Sequence, residues 1–240
     1  MSAFGEGTLS RGSALVYTLL VVEGLFLLTA APGFALLLLL DRDGSNVALF
    51  ALCAVPLGPA VSAAVYALHR RRSDLADLHP AAAFWRGYRL NAVGVLKVWL
   101  PTVALLAVLA VSLVNRAASG VPLWWSALLL VIGAAVVLWS VNALVIASLY
   151  VFRTGDVARL AAYFLGHRPG VALGSAGLLL TAGAITVFAS EAVALLPASL
   201  LVGGLLLVAR PMCVEIEQRF IDRAAPASAA DRRPAGGGLA

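Results

Sequence analysis

Apolar residues fill this chain in long unbroken runs, and the lengths of those runs predict its architecture. A hydrocarbon core about 30 Å thick takes about 20 residues of helix at 1.5 Å each, and backbone groups in lipid must be bonded within the segment, which favours helices. On that basis the first span covers residues 14–40, ending at Asp41-Arg42-Asp43-Gly44, and the second covers about 46–68. A third is predicted at 92–114 and a fourth at 123–150, joined by the short polar stretch from Asn115 to Val121. The apolar segment from Val171 to Ala209 is 39 residues long. As a single helix it would reach about 58 Å, almost twice the membrane core. It is therefore predicted to be a hairpin turning near Ser190-Glu191, with spans at 171–190 and 192–209. The expected fold is an all-α, polytopic transmembrane helix bundle of about six spans over 14–223, after an N-terminal segment 1–13. An Ala/Gly/Pro-rich tail, 224–240, follows and is expected to be disordered.

Two stretches between spans have a different period. From Pro80, with Asp77 or His79 as cap, the residues Ala81, Phe84, Trp85, Tyr88 and Ala92 fall on one face of a helix, flanked by Arg86 and Arg89. Three aromatics beside arginines suit a short helix lying in the lipid headgroups. A second such helix is predicted where Val157, Leu160, Ala161 and Phe164 share a face, with Asp156 as cap and Gly166 and Pro169 as stops. Both belong to the bundle as short cytoplasmic interfacial amphipathic helices. Their exposed residues Phe84, Trp85, Arg86, Tyr88, Arg89, Leu160 and Phe164 form a candidate partner surface. The segments 77–89 and 156–168 share five identities in thirteen at an offset of 79, which suggests a repeat of span, interfacial helix and span.

Composition narrows the class further. The chain is 62% hydrophobic and 12% charged, whereas a soluble domain is roughly 45–50% apolar and about 25% charged. Its net charge of +5 lies between apolar runs and forms no aromatic-studded stripe, so a nucleic-acid partner is not expected. The arginines report topology instead. With the N-terminus inside, fifteen of the seventeen Lys and Arg residues fall on the cytoplasmic side, leaving Arg42 and Arg116 outside. Six spans with both termini cytoplasmic satisfy that rule. Cys53 and Cys213 are isolated, with no CxxC and no histidine at ligand spacing, so neither a metal nor another cofactor is expected. The first apolar run is longer than a secretory signal core of about 7–15 residues, which makes it a retained helix.

Candidate chemistry is sparse. Glu23 lies nine residues into the first span, and an ionisable group at that depth is costly unless it faces the bundle interior, a cavity or an ion path. The alternative is a neutral, protonated glutamate bonded to another helix. Asn142 in the fourth span is a candidate partner for it, although buried amides also act as interhelical glue. Lys97 completes the candidate binding residues, with snorkelling to the headgroups as its simpler role. Pro32-Gly33, Pro56, Gly58-Pro59 and Pro197 are expected to kink or interrupt their helices, and interrupted helices can build substrate sites. No catalytic residue is identified. The three histidines map to loops or span ends, and no HExxH or Walker A pattern occurs, so an enzyme is not expected.

Two blocks carry a family resemblance. Pro56-Leu-Gly-Pro-Ala-Val-Ser-Ala-Ala-Val-Tyr-Ala-Leu68 and Phe84-Trp-Arg-Gly-Tyr-Arg-Leu-Asn91, with weaker similarity around Arg210-Pro211-Met212, resemble the YesL family of bacterial integral membrane proteins. The resemblance implies a bacterial cytoplasmic membrane location and an association with carbohydrate ABC transport systems. Where that family tends to place a polar Asn before a large aromatic, this chain has Glu23-Gly24-Leu25-Phe26. Two functions are expected on this basis. The first is a non-enzymatic accessory or scaffold protein, with the lipid bilayer and ABC transporter subunits as partners and homo-oligomerisation open. The second is an autonomous small-solute transporter, or a permease subunit, centred on Glu23.

Overall fold

The computed structural model describes residues 8–41, 43–71, 79–116, 120, 122–188 and 197–221. The predicted cap Asp77, the predicted turn at Ser190-Glu191 and the tail lie outside these residues. All regular structure among the described residues is helical. Six segments are long and apolar enough to cross a membrane, and the protein is a multi-pass helical membrane protein.

Helix α1 (Thr8–Leu39) is longer than the predicted first span and carries Pro32 inside it without ending. The second span departs from a single helix. A short 3-10 turn (Gly44–Asn46) leads into α2 (Val47–Cys53), and the chain then breaks before α3 (Leu57–Arg71). Pro56 explains the break, because it has no N–H to continue the ladder and disfavours the helical conformation of the residue before it. The carbonyl of Ala54 accepts hydrogen bonds from the Trp99 indole at 3.0 Å and from the Leu57 amide at 3.2 Å. Trp99 thereby satisfies backbone that lipid could not. Gly33 of α1 meets the Cys53 carbonyl at this break, leaving no room for a Cβ.

Helix α4 (Pro80–Val114) corrects the first predicted interfacial helix. It is continuous for 35 residues, so the aromatic segment is the first part of the third span rather than a separate element. Neither Asn91 nor Ala92 supplies a stop, and the helix runs through. Helix α5 (Leu123–Leu149) forms the fourth span. The second predicted helix is separate: α6 (Thr154–His167) ends at Arg168, whose backbone leaves the helical region ahead of Pro169, where α7 (Pro169–Phe188) begins. Pro197 sits at the N-cap of α8 (Ala198–Ile216), which runs on into a π turn (Glu217–Ile221).

Two buried clusters hold the bundle together. In the first, Val22, Phe26 and Ala30 of α1 pack on Ala60, Ala63, Ala64 and Ala67 of α3 and on Phe84. The alanines matter because helices in lipid gain from close van der Waals contact rather than from hydrophobic exclusion. Gly87 of α4 serves the same purpose, since a Cβ there would lie 2.7 Å from the Tyr66 side chain of α3. The second cluster joins Val145 and Ile146 of α5, Val157, Ala161 and Phe164 of α6, and Ala209, Met212 and Ile216 of α8. Phe84 and Phe164 are the matching buried rings of the two clusters, both with no exposed surface. They are 80 residues apart, whereas the offset of 79 pairs Phe84 with Tyr163, which is exposed. The buried rings of the two clusters therefore do not coincide at the offset of 79.

Candidate functional site

Glu23 stands well inside α1, eleven residues from Gly12 and sixteen from Leu39, or about 16 and about 24 Å along the axis. Its residue is 9% exposed, and its Oε2 accepts a 2.6 Å hydrogen bond from the backbone amide of Ser199. Ser199 is the second residue of α8, so this amide is one of the donors that a helix start leaves without an intrahelical acceptor. Pro197, at the N-cap, offers no side-chain oxygen. Glu23 does that job from another helix. Its second oxygen, Oε1, is buried with no hydrogen-bond partner. One carboxyl oxygen is thus committed to structure and the other is open to a proton or to a donor.

Beside this pair lies a cavity of about 350 Å³, lined by side chains from every span. Phe26 (α1), Leu57 (α3), Trp99 (α4), Ser140 (α5), Ser175 (α7) and Ala198 (α8) each contribute. Phe26 is one turn from Glu23 and Ala198 precedes Ser199, so neighbours of the Glu23–Ser199 bond, though neither residue itself, line the cavity. Ser140 donates to the Val137 carbonyl at 2.7 Å, as hydroxyls on membrane helices commonly do. Ser175 differs. It is 1% exposed, and its Oγ has no partner.

The other predicted binding residues do not join Glu23. Asn142 is buried at 1% exposure with an unpartnered Nδ2, but the oxygen of Glu23 that is bonded takes its donor from Ser199. Lys97 is exposed on the outer face of α4, as snorkelling requires. The predicted partner surface divides. Phe84 and Phe164 are enclosed by the chain's own helices and face no partner, while Leu160 and Tyr88 are half-buried. Amphipathic periodicity signals that a face is covered, and here protein covers it rather than headgroups. Trp85, 38% exposed, and the exposed Arg86 and Arg89 remain on the surface, with Trp85 edge-on to Phe84 and Tyr88.

A second buried carboxylate has no counterpart in the sequence reading. The Glu215 side chain near the end of α8 is 5% exposed and takes a 2.8 Å hydrogen bond from Arg168 Nε. Arg219 Nη2 lies 3.0 Å from it and His167 Nε2 lies 3.7 Å away. His167 in turn stacks on Tyr163 at 4.8 Å. Arg168 occupies the break between α6 and α7, so the pair ties that junction to α8. Nearby, the Tyr150 hydroxyl is 3.2 Å from both the Cys213 carbonyl and Glu217 Oε1. Among the described residues, no group of three His, Cys, Asp or Glu side chains can hold a metal. No protein-family model matches the chain, and neither does a curated protein or a solved structure.

Proposed function

We propose that the protein is a small-solute transporter of the membrane, with the central cavity as its binding site and the Glu23–Ser199 pair as the polar centre of the path. The observation that carries this reading is the Glu23 carboxyl one turn from a cavity-lining residue, with one oxygen on the start of α8 and the other unpartnered. Helix termini inside a bundle, interrupted spans and a buried acid recur in transporters, where they build sites near the middle of the bilayer. The break between α2 and α3 adds a second interruption, and Trp99 links it to the same cavity. A solute donor that competes for Glu23 would loosen its hold on α8, which couples occupancy to helix position. The arginine distribution supports a cytoplasmic location for both termini, and the YesL resemblance supports a bacterial cytoplasmic membrane.

The accessory reading rests on a different observation, the exposed group of Trp85, Arg86 and Arg89 at the start of α4. It loses much of its proposed surface because Phe84 and Phe164 are internal. Purification in mild detergent from native membranes, followed by protein mass spectrometry, separates the two. Recovery of the chain alone or with itself is the expected outcome. Stoichiometric recovery of permease or ATPase subunits would instead make the protein an accessory of a transport system.

A further inference from the structure

We propose that the outer face of α4 binds a phospholipid of net negative charge, with its phosphate held by Arg86, Arg89 and Lys97 and an acyl chain lying along the apolar residues that follow. The inference stands apart from the central cavity and does not depend on the transporter reading. At about 3.6 residues per turn, Arg86, Arg89, Leu90, Val93, Lys97 and Leu100 fall within one sector of the helix about 100° wide. All six are exposed. The opposite face carries Phe84, Gly87, Val95, Val98 and Thr102, which are buried against the rest of the bundle. Val108 and Val111 continue the exposed stripe toward the far end of α4. The cations thus gather at one end of the stripe, and beyond Lys97 it is aliphatic.

The length of α4 sets the depth of these groups. Its 35 residues reach about 52 Å, and a hydrocarbon core about 30 Å thick takes roughly the last 20 of them. Arg86 and Arg89 then lie level with the headgroups, and Lys97 lies just inside the hydrocarbon boundary. Side chains on a helix lean toward its N-terminus, which here is the headgroup end, so Lys97 extends its ammonium back toward Arg89, about 12 Å away along the axis. Arg86 and Arg89, three residues apart, are neighbours on the helix surface, and guanidinium forks match the geometry of a phosphate. The protein does not neutralise this charge. Helix α4 contains no acidic residue, and among the described residues none of the three cations forms a hydrogen bond or an ion pair. Near a bilayer surface each such cation strengthens the hold on anionic lipid by about fivefold. An acidic peptide could meet the two arginines but would leave Lys97, inside the hydrocarbon, unmatched. A phospholipid brings its charge to that depth with an apolar chain below it.

The test is native mass spectrometry of the full-length protein in detergent, titrated with phosphatidylglycerol or phosphatidylcholine carrying the same oleoyl chains. One-to-one binding of phosphatidylglycerol, at least about tenfold tighter than phosphatidylcholine, is expected. Lys97→Gln alone should weaken phosphatidylglycerol about fivefold, and Arg86→Gln with Arg89→Gln and Lys97→Gln should bring it down to the level of phosphatidylcholine. Arg86→Lys with Arg89→Lys keeps the charge and should keep the preference. Arg153→Gln with Arg159→Gln, at exposed positions in and before α6, should leave it unchanged. An equal loss in that control would overturn the site in favour of diffuse attraction to any basic surface. Equal binding of the two lipids by the wild type would overturn the charge preference. Displacement of phosphatidylglycerol by an equal concentration of glycerol 3-phosphate would overturn the lipid as occupant and make the face a site for soluble phosphates. An acidic protein held by the wild type in place of lipid, and released by the triple variant, would make it a protein dock instead.

Discussion

The two ends of α8 are both held by side chains from other helices, yet in opposite ways. At its start, a single carboxyl oxygen of Glu23 caps the Ser199 amide and the companion oxygen has no partner. Towards its end, Glu215 Oε2 accepts a hydrogen bond from Arg168, while Oε1, itself without a hydrogen bond, lies 3.0 Å from the Arg219 guanidinium and 3.7 Å from the His167 ring. A buried carboxylate matched by two arginines is an anchor. Glu23 has no such arginine partner among the described residues, and an acid inside a span without one is costly, which marks a candidate working site. The difference assigns stability to one end of the helix and function to the other.

Perturbing the anchored end should produce the largest losses of stability. Phe164→Ala removes a fully enclosed ring and is expected to cost about 3–5 kcal/mol in denaturation in detergent. A wild-type transition would show that α6 is not part of the core. Arg168→Ala should lower the melting temperature less, because the arginine is 45% exposed and Glu215 keeps Arg219 beside it. Combining it with Glu215→Gln should cost less than the two single changes added together, since both remove one interaction. Strict additivity would deny the coupling.

At the other end, the acid and its isostere separate structure from function. Glu23→Ala strands the Ser199 amide and should cost about 1–3 kcal/mol, whereas Glu23→Gln retains an acceptor and should fold within about 1 kcal/mol of wild type. Ligand binding should nevertheless fall in Glu23→Gln. If it persisted unchanged, the distinction between the two ends would fail. Smallest of all, Trp85→Ala with Arg86→Ala and Arg89→Ala should shift stability by no more than about 0.5 kcal/mol per site, as these side chains face outward. Release of a bound protein by that triple variant would restore the docking surface as a functional element.

The contrast also explains what could be read from the chain itself. Six spans were legible because lipid imposes a minimum apolar length, and the break at Pro56 was legible because proline acts locally. Glu23 stood out as an acid in an apolar run. Its bonded partner did not, because a backbone amide 176 residues away leaves no pattern in the sequence. Glu215 was missed altogether. It follows the last apolar stretch and reads as the start of a polar tail, although Met212 and Ile216, three residues before and one after, lie on the buried face of α8. Arg168 is 47 residues away, which is too far for any helix-spacing rule. The faces of Phe84 and Phe164 were found correctly as apolar, but periodicity carries no information on whether lipid, partner or self covers them.

Native mass spectrometry of the intact chain released from native membranes, wild type beside Glu23→Gln, tests the central claim most directly. The account predicts a one-to-one small-molecule adduct on the wild type that is lost or sharply reduced in Glu23→Gln, with both proteins melting at similar temperatures. Equal adducts on both, or none on either while transporter subunits stay bound, would contradict it.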